Sequence, residues 1–408
     1  MMRFYITAGF VLFFTGSAVA QKGVNSLYSA FGIGDLDERD YSRNFGVGSA
    51  GTARPSGQFL NEQNPASYSA LPMQMFYFEA SMAGKSVSYQ TASNTQSAGD
   101  IAFRRFAIGF KAHERWGISV GLMPYSRIDY KLLNTTPVEG TSENVRNAID
   151  GSGGLNRFYI SNSVRLTKNF SAGVSSAVIF GPVKTIDSLA NDEVHTSQDV
   201  YYRNLNFTAG LQYQGRIGEW TIGAGATYRF GTTLNGSGTL SIRAADETIL
   251  YQDKSVAASY KLPEQIGLGL TATSGNITWL ADYKRQNWEG LNKSNTNFQY
   301  KNSERYAGGM EYTFKRLDFY GREAEGAVIQ LGAAFHKNYI SVKNQPLEDF
   351  SVSAGLSLPS RTGHLRYYLG LEGGQRGVST KGLVQENYLN VVLHLSLRDN
   401  WFYKRKEM

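Results

Sequence analysis

WGISVGLMPYSRIDY, residues 116–130, puts Trp116, Ile118, Val120, Leu122, Ile128 and Tyr130 on one parity and Gly117, Ser119, Gly121, Arg127 and Asp129 on the other. A period of two is the mark of a β-strand with one apolar and one polar face. A soluble sandwich makes such strands, and so does a barrel in a membrane. What meets the apolar face decides the fold.

The same alternation recurs along the chain, at 74–88, 100–112, 116–131, 157–167, 170–184, 201–216, 219–234, 257–273, 276–288, 299–315, 326–340, 347–358, 364–375 and 386–398. That makes about fourteen strands. In the last of them Leu389, Val391, Leu393, Leu395 and Leu397 alternate with Asn390, His394, Ser396 and Arg398. The apolar parity is too continuous around fourteen strands to face one small core. The opposite parity is rich in Gly, Ser, Thr, Asn and Arg. A lipid-facing exterior around a polar lumen accounts for both.

Connection lengths point the same way. The connections at His113-Glu114-Arg115, Thr167-Lys168-Asn169, Arg216-Ile217-Gly218 and Ser274-Gly275-Asn276 are tight. Those around 89–99, 132–156, 185–200, 235–256 and 289–298 are expected to be long outer loops. Such alternation is typical of bacterial outer-membrane barrels. It blurs at 316–325 and resumes at Pro359–Gly363.

The composition fits this reading. Among 408 residues there are 44 Gly, 25 Tyr, 23 Phe and no Cys, which rules out disulfides, thiolate metal sites and lipidation at an N-terminal Cys. The formal charge of +7 is spread out, as on a solvated basic surface or one facing anionic headgroups, and no nucleic-acid motif accompanies it. Residues 1–20, MMRFYITAGFVLFFTGSAVA, read as a secretory signal peptide cut before Gln21. No later apolar stretch is long enough for a membrane helix.

Residues 21–73 lack alternation and stand ahead of a barrel wider than side chains alone can fill, so they are expected to plug it. Asn64 would cap a short helix with Pro65 at its first position. Gly46-Val47-Gly48-Ser49-Ala50-Gly51 matches G-x-G-x-x-G, but no strand precedes it and no βαβ unit follows. Turn-forming glycines in a plug explain it better than a dinucleotide site.

The run Asn44–Ala53 followed by Asn64-Pro65-Ala66, and the Pro124-Tyr125 step after an alternating Gly-x-Gly segment, resemble the long-chain fatty acid transporter family of FadL/TodX-like outer-membrane proteins. Tyr28–Leu36 and Asp399–Lys406 resemble a Bacteroidetes branch of it. The resemblance implies a monomeric fourteen-stranded barrel plugged by a hatch at 21–73, with the barrel at 74–398 and a basic periplasmic tail at 399–408. It assigns hatch roles to Gly46, Gly48, Gly51, Asn64, Pro65 and Ala66, and a strand-three kink to Pro124 and Tyr125. It also implies lateral passage of hydrophobic molecules. The chain departs from most proteobacterial barrels in ending on a basic tail and Met408.

Little else carries chemistry. His113, His195, His336, His364 and His394 stand at no metal-ligand spacing. His394 and Ser396 share the inward parity without a nucleophile motif, so they read as lumen lining. Neither a cofactor, a metal nor a catalytic residue is expected. The expected partners are outer-membrane lipid and a hydrophobic small-molecule ligand, with no nucleic acid. The alternative is a non-transporting barrel subunit or plug of a larger outer-membrane secretion or assembly complex.

Overall fold

The computed structural model describes residues 26–137, 144–189, 193–291, 298–317, 321, 323–380 and 383–400. The signal-peptide expectation and residues 401–408 of the expected tail lie outside the described residues. Fourteen antiparallel staves follow in chain order. They are β1 (Met75–Gln90), β2 (Thr95–His113), β3 (Trp116–Pro137), β4 (Asn144–Arg165), β5 (Phe170–Leu189) and β6 (Val194–Ile217). Next come β7 (Trp220–Arg229 and Thr232–Ala244), β8 (Ile249–Leu262 and Gln265–Ser274), β9 (Ile277–Gln286) and β10 (Phe298–Tyr300 and Ser303–Leu317). The last four are β11 (Glu323–Val342), β12 (Gln345–Pro359), β13 (Leu365–Arg376) and β14 (Gln385–Asn400). β14 pairs with β1 from Gln385↔Gln90 to Asn400↔Met75, which closes the cylinder. All fourteen expected strands are present, in order.

The barrel is inside out relative to a soluble protein. On β14, Leu393 is 59% exposed and Leu389, Leu395 and Leu397 are also exposed, whereas Asn390, Val392, His394 and Ser396 are buried in the lumen. A continuous outer belt of this kind, with polar groups inside, is stable only where the outer solvent is lipid. Among the described residues no helix is long and apolar enough to cross a membrane; the strands do the spanning.

Several expected loops are strand. β3 and β4 stay paired up to Pro137↔Asn144, so most of 132–156 is a hairpin extension. Likewise β5 and β6 pair up to Leu189↔Val194, and β7 and β8 pair between Leu262↔Thr232 and Ile249↔Arg243. Both faces of these extensions are wet, so the apolar alternation fades while the ladder continues. The connection between β11 and β12 is only Lys343-Asn344, both at positive φ, on the end where long loops are expected. The two ends of the barrel therefore differ in strand overhang more than in loop length.

Residues 26–74 occupy the lumen as 3-10 turns (Leu27–Ala30, Phe45–Val47, Pro65–Ala70) and one two-residue strand, Asp35–Leu36. Towards the overhanging end, Tyr28 and Ile33 join a dry cluster with Trp288, Tyr300 and Tyr339, where the Trp288 and Tyr339 rings stack at 4.3 Å. Towards the short-turn end, Leu60, Tyr68 and Leu71 pack against Tyr77 and Ala107 of the wall.

Candidate functional site

The alternation quoted at the outset holds only as far as Leu122. Gly117, Ser119 and Gly121 are buried in the lumen; beyond the bulge the buried residues are Ser126 and Ile128, of the opposite parity. Between Pro124↔Asn156 and Ser126↔Leu155 the register slips by one residue, which leaves Tyr125 without an opposite number. An inserted residue reverses the facing of everything after it. The expectation that Ile128 shares the outer face of Trp116 is therefore wrong: Ile128 points inward and is buried.

Opposite Pro124 lies a second irregularity. β2 pairs with β1 through Ser81↔Arg105 and then Met82↔Phe103, so Arg104 is an extra residue, and both Arg104 and Arg105 are buried. The β2–β3 ladder runs from His113↔Trp116 to Phe106↔Leu122 and stops there. Beyond it β2 follows β1 and β3 follows β4. A seam opens between them.

The register fixes the depth of the seam. Phe106 is level with Ala80 of β1, and Ala80 with Leu395 of β14. The lipid-facing belt on β14 continues past that level through Leu393, Val391 and Leu389. The seam thus starts inside the belt and shares it for six residues, about 20 Å along a strand.

The N-terminal segment backs the seam. Asp35 and Leu36 pair with Arg127 and Ser126 on the edge that β2 has vacated. The Asp37 amide donates to the Tyr125 carbonyl at 3.1 Å, and the Ser26 amide to that of Asp129 at 2.9 Å. Two ion pairs cross the region: Arg127 with Asp100, and Arg104 with Asp37 at 3.0 Å. Burial works against the Asp35 carboxylate, but Arg376, Lys85 and Arg39 outweigh it and hold its pKa below the usual range. A cavity of about 90 Å³ touches Met123, Pro124 and Tyr125, with Asp37, Arg157 and Arg229 around it. Another, of about 60 Å³, lies among Asp35, Lys85, Arg104 and Arg127. Pro124 and Tyr125 thus stand where seam, bulge and cavity meet.

The other six residues singled out from sequence fix the segment to the wall. The amide of Gly46 donates to the Tyr368 hydroxyl at 2.7 Å, that of Gly48 to Ser353 Oγ at 3.0 Å and that of Gly51 to Asp282 Oδ2 at 2.8 Å. Asn64 caps the Pro65–Ala70 turn by accepting from the Ala66 amide at 3.0 Å. Its Nδ2 also donates to the Leu211 carbonyl of β6 at 2.9 Å. The wall makes room for this turn with glycines on its polar face. A Cβ on Gly173 would lie 2.5 Å from the Pro65 carbonyl oxygen, and one on Gly210 would lie 2.7 Å from Pro65 Cδ. No side chain fits at either position.

Charged anchors were not singled out from sequence. Glu311 of β10 receives Arg43 and Arg54, each at 2.6 Å, and Gln330 at 2.6 Å, all buried or nearly so. Asp282 of β9 accepts from the Gly51 amide, the Thr52 amide and the Thr52 hydroxyl. A carboxylate on the inner parity in mid-strand needs a partner inside the barrel, which was the available signal. His394 and Ser396 meet the buried Glu79 rather than each other, at 3.3 and 3.0 Å. Glu79 in turn accepts from the Leu60 amide at 2.9 Å.

Solved structures share this architecture at low sequence identity. The Pseudomonas putida toluene transporter TodX aligns at TM-score 0.61 and 14% identity, over 91% of this chain and 100% of that one. The Ralstonia pickettii toluene transporter TbuX gives 0.59 and 15%, over 91% and 99%. A Pseudomonas aeruginosa FadL homologue gives 0.58 and 13%, over 90% and 100%. No curated protein sequence matches significantly. The profile of the family described as BamG matches residues 1–407. The chain belongs to the BamG family.

Proposed function

We propose that this protein is an outer-membrane channel through which hydrophobic, fatty-acid-like small molecules diffuse. Residues 1–20 serve as its export signal, and the similarity of Tyr28–Leu36 and Asp399–Lys406 to a Bacteroidetes branch of such barrels supports an origin there. The segment 21–73 is the hatch, held by Gly46, Gly48, Gly51 and the Asn64-Pro65-Ala66 turn. The Pro124-Tyr125 kink marks a lateral exit. The observation that carries this reading is the seam: the β2–β3 ladder ends at Phe106↔Leu122, within the lipid-facing belt and beside a lumen cavity. Solved structures of similar fold include toluene transporters.

Sideways release suits such cargo. Burying ten methylenes is worth roughly 8 kcal/mol, which aqueous release would forfeit. The cavity behind the kink is lined by ionic groups such as Arg157, Arg229 and Asp37, so the cargo's polar end would sit there and its tail in the seam. Uptake of a fatty acid into liposomes tests this with the wild type, a chain lacking residues 21–73, and Pro124→Ala. Wild type should exceed empty liposomes, and the deletion should change the rate. Equal uptake by all of them ends the proposal.

A second reading, a non-transporting subunit or plug of a larger outer-membrane secretion or assembly complex, draws support from how firmly Glu311 and Asp282 pin the segment. A stoichiometric large partner retained in mild detergent, together with no uptake, would decide for it.

A further inference from the structure

The seam leaves backbone as well as space. Between Thr95 and Arg104, β2 is bonded to β1 on one side, from Gln90↔Thr95 to Met82↔Phe103. Its other edge has no ladder partner among the described residues. The facing edge of β3 is partly taken, because Asp35–Leu36 sits on Ser126 and Arg127. One lip of the seam has therefore already accepted an added strand and the other has not. An unpaired strand edge is a template for a further strand. Within a lipid belt its bare amides and carbonyls are costly, at several kcal/mol each.

The edge also specifies what would fit. Ile101 and Phe103 point outward and are exposed at the level of the belt, while Arg104 points into the lumen and pairs with Asp37. A strand laid beside them must put apolar side chains on one parity and polar ones on the other. Of the ten edge residues, Gly99–Arg104 stand at the depth of the belt, since Gly99 is level with Ser86 and Leu389, so the alternation of the added strand matters most there.

We propose that the seam edge of β2, Thr95–Arg104, docks an extended amphipathic strand of another membrane β-barrel polypeptide by backbone pairing. The mode is β-augmentation, in which main-chain hydrogen bonds supply affinity and alternate side chains supply register. This goes beyond cargo passage and does not depend on it. Failed uptake leaves it standing, and failed strand docking leaves uptake standing.

The test uses the whole protein in detergent and two twelve-residue peptides of identical composition. One alternates Leu with Ser, and the other carries the same residues as one Leu block and one Ser block. The chain has no Cys, so single cysteines at Gly99, Ile101 and Phe103 can be paired with a cysteine walked along each peptide. Docking predicts disulfides with the alternating peptide only, with the best-reacting peptide position moving two residues for each two-residue step on β2. Amide exchange over Thr95–Arg104 should slow about tenfold with that peptide, while Trp116–Val120 stays unchanged. Cross-linking without register, equal reaction of the block peptide, or unchanged exchange would overturn the proposal. Disulfide-linked homodimers formed efficiently without peptide would assign the edge to a second copy and overturn it as well.

Discussion

Two neighbouring junctions in this barrel behave in opposite ways. β14 and β1 lie at opposite ends of the barrel sequence, yet they pair without a register shift from Gln385↔Gln90 to Asn400↔Met75. β2 and β3 are joined by the two-residue turn Glu114-Arg115, yet they part company at Phe106↔Leu122. Chain proximity favours the second pair, so entropy of closure is not what separates them. Local chemistry is. Pro124 has no amide to donate, Tyr125 and Arg104 are each one residue too many for their ladders, and the vacated edge is taken by Asp35–Leu36. A closed barrel can therefore carry a built-in defect, provided something inside it covers the defect.

If the covering segment matters, loosening its strongest anchor should disturb the seam and spare the β14–β1 junction. Glu311→Ala leaves Arg43 and Arg54 buried beside a missing carboxylate. Losing one partner of a buried charge cluster costs about 3–5 kcal/mol. We expect a loss of that order in denaturant unfolding, and faster amide exchange at Tyr125–Asp129 than at Val391–Leu395. Uniform acceleration at both would mean that the segment braces the whole wall.

The junctions can also be compared at one depth, because Phe103, Met82 and Leu393 stand level across β2, β1 and β14. Leu393→Arg places a cation in lipid and should cost roughly 2–4 kcal/mol. Phe103→Arg should cost roughly half of that or less, since the seam lets a long side chain turn towards the wet cavity. Equal penalties in detergent-micelle unfolding would argue that the seam is as dry as the closed junction.

The cover is sensitive to acid, by sign. The Asp35 pKa is held below its usual value by Arg376, Lys85 and Arg39 against the cost of burial. A depressed carboxylate contributes stability that is fully present above its unfolded value, about 4, and lost as pH falls through the folded one. Labelling of a Leu36→Cys variant should be slow and flat from pH 8 to 5 when corrected for thiolate fraction. Brief exposure below about pH 4 should then raise it. Asp35→Asn should remove that step.

How far this was legible from residues alone follows the physics of each element. Outer faces such as Leu389–Leu397 announced themselves because lipid demands an unbroken apolar parity. The overhanging hairpins did not, since with both faces wet nothing in Asn144–Asp150 or Val194–Asp199 need alternate. Pro124 was readable as a break because its missing donor is a property of one residue. The compensating bulge at Arg104 was not: it depends on which β1 residue stands opposite, and pairing partners are invisible in one strand. Gly173 and Gly210 read as ordinary lumen glycines until Pro65 is placed against them. Glu311 and Arg43, 268 positions apart, have no local signal linking them.

The smallest expected effect concerns the ion pair across the seam itself. Arg127 is about a third exposed while it contacts Asp100, and pairs of that kind contribute about 0–1 kcal/mol because solvent screens them and ordering two side chains costs entropy. Arg127→Ala should therefore leave global unfolding nearly unchanged. It removes the side-chain bridge between β2 and β3 just where no backbone bond backs it up, so its effect belongs to the seam alone. Double spin labels on Ser97 and Lys131, added to Arg127→Ala and its parent, leave Asp100 in place and should show a broader distance distribution in the variant. The same labels on Lys85 and Asn390, across the β1–β14 junction, should show none. A change at both would place the flexibility in the barrel as a whole and remove the distinction between the two junctions.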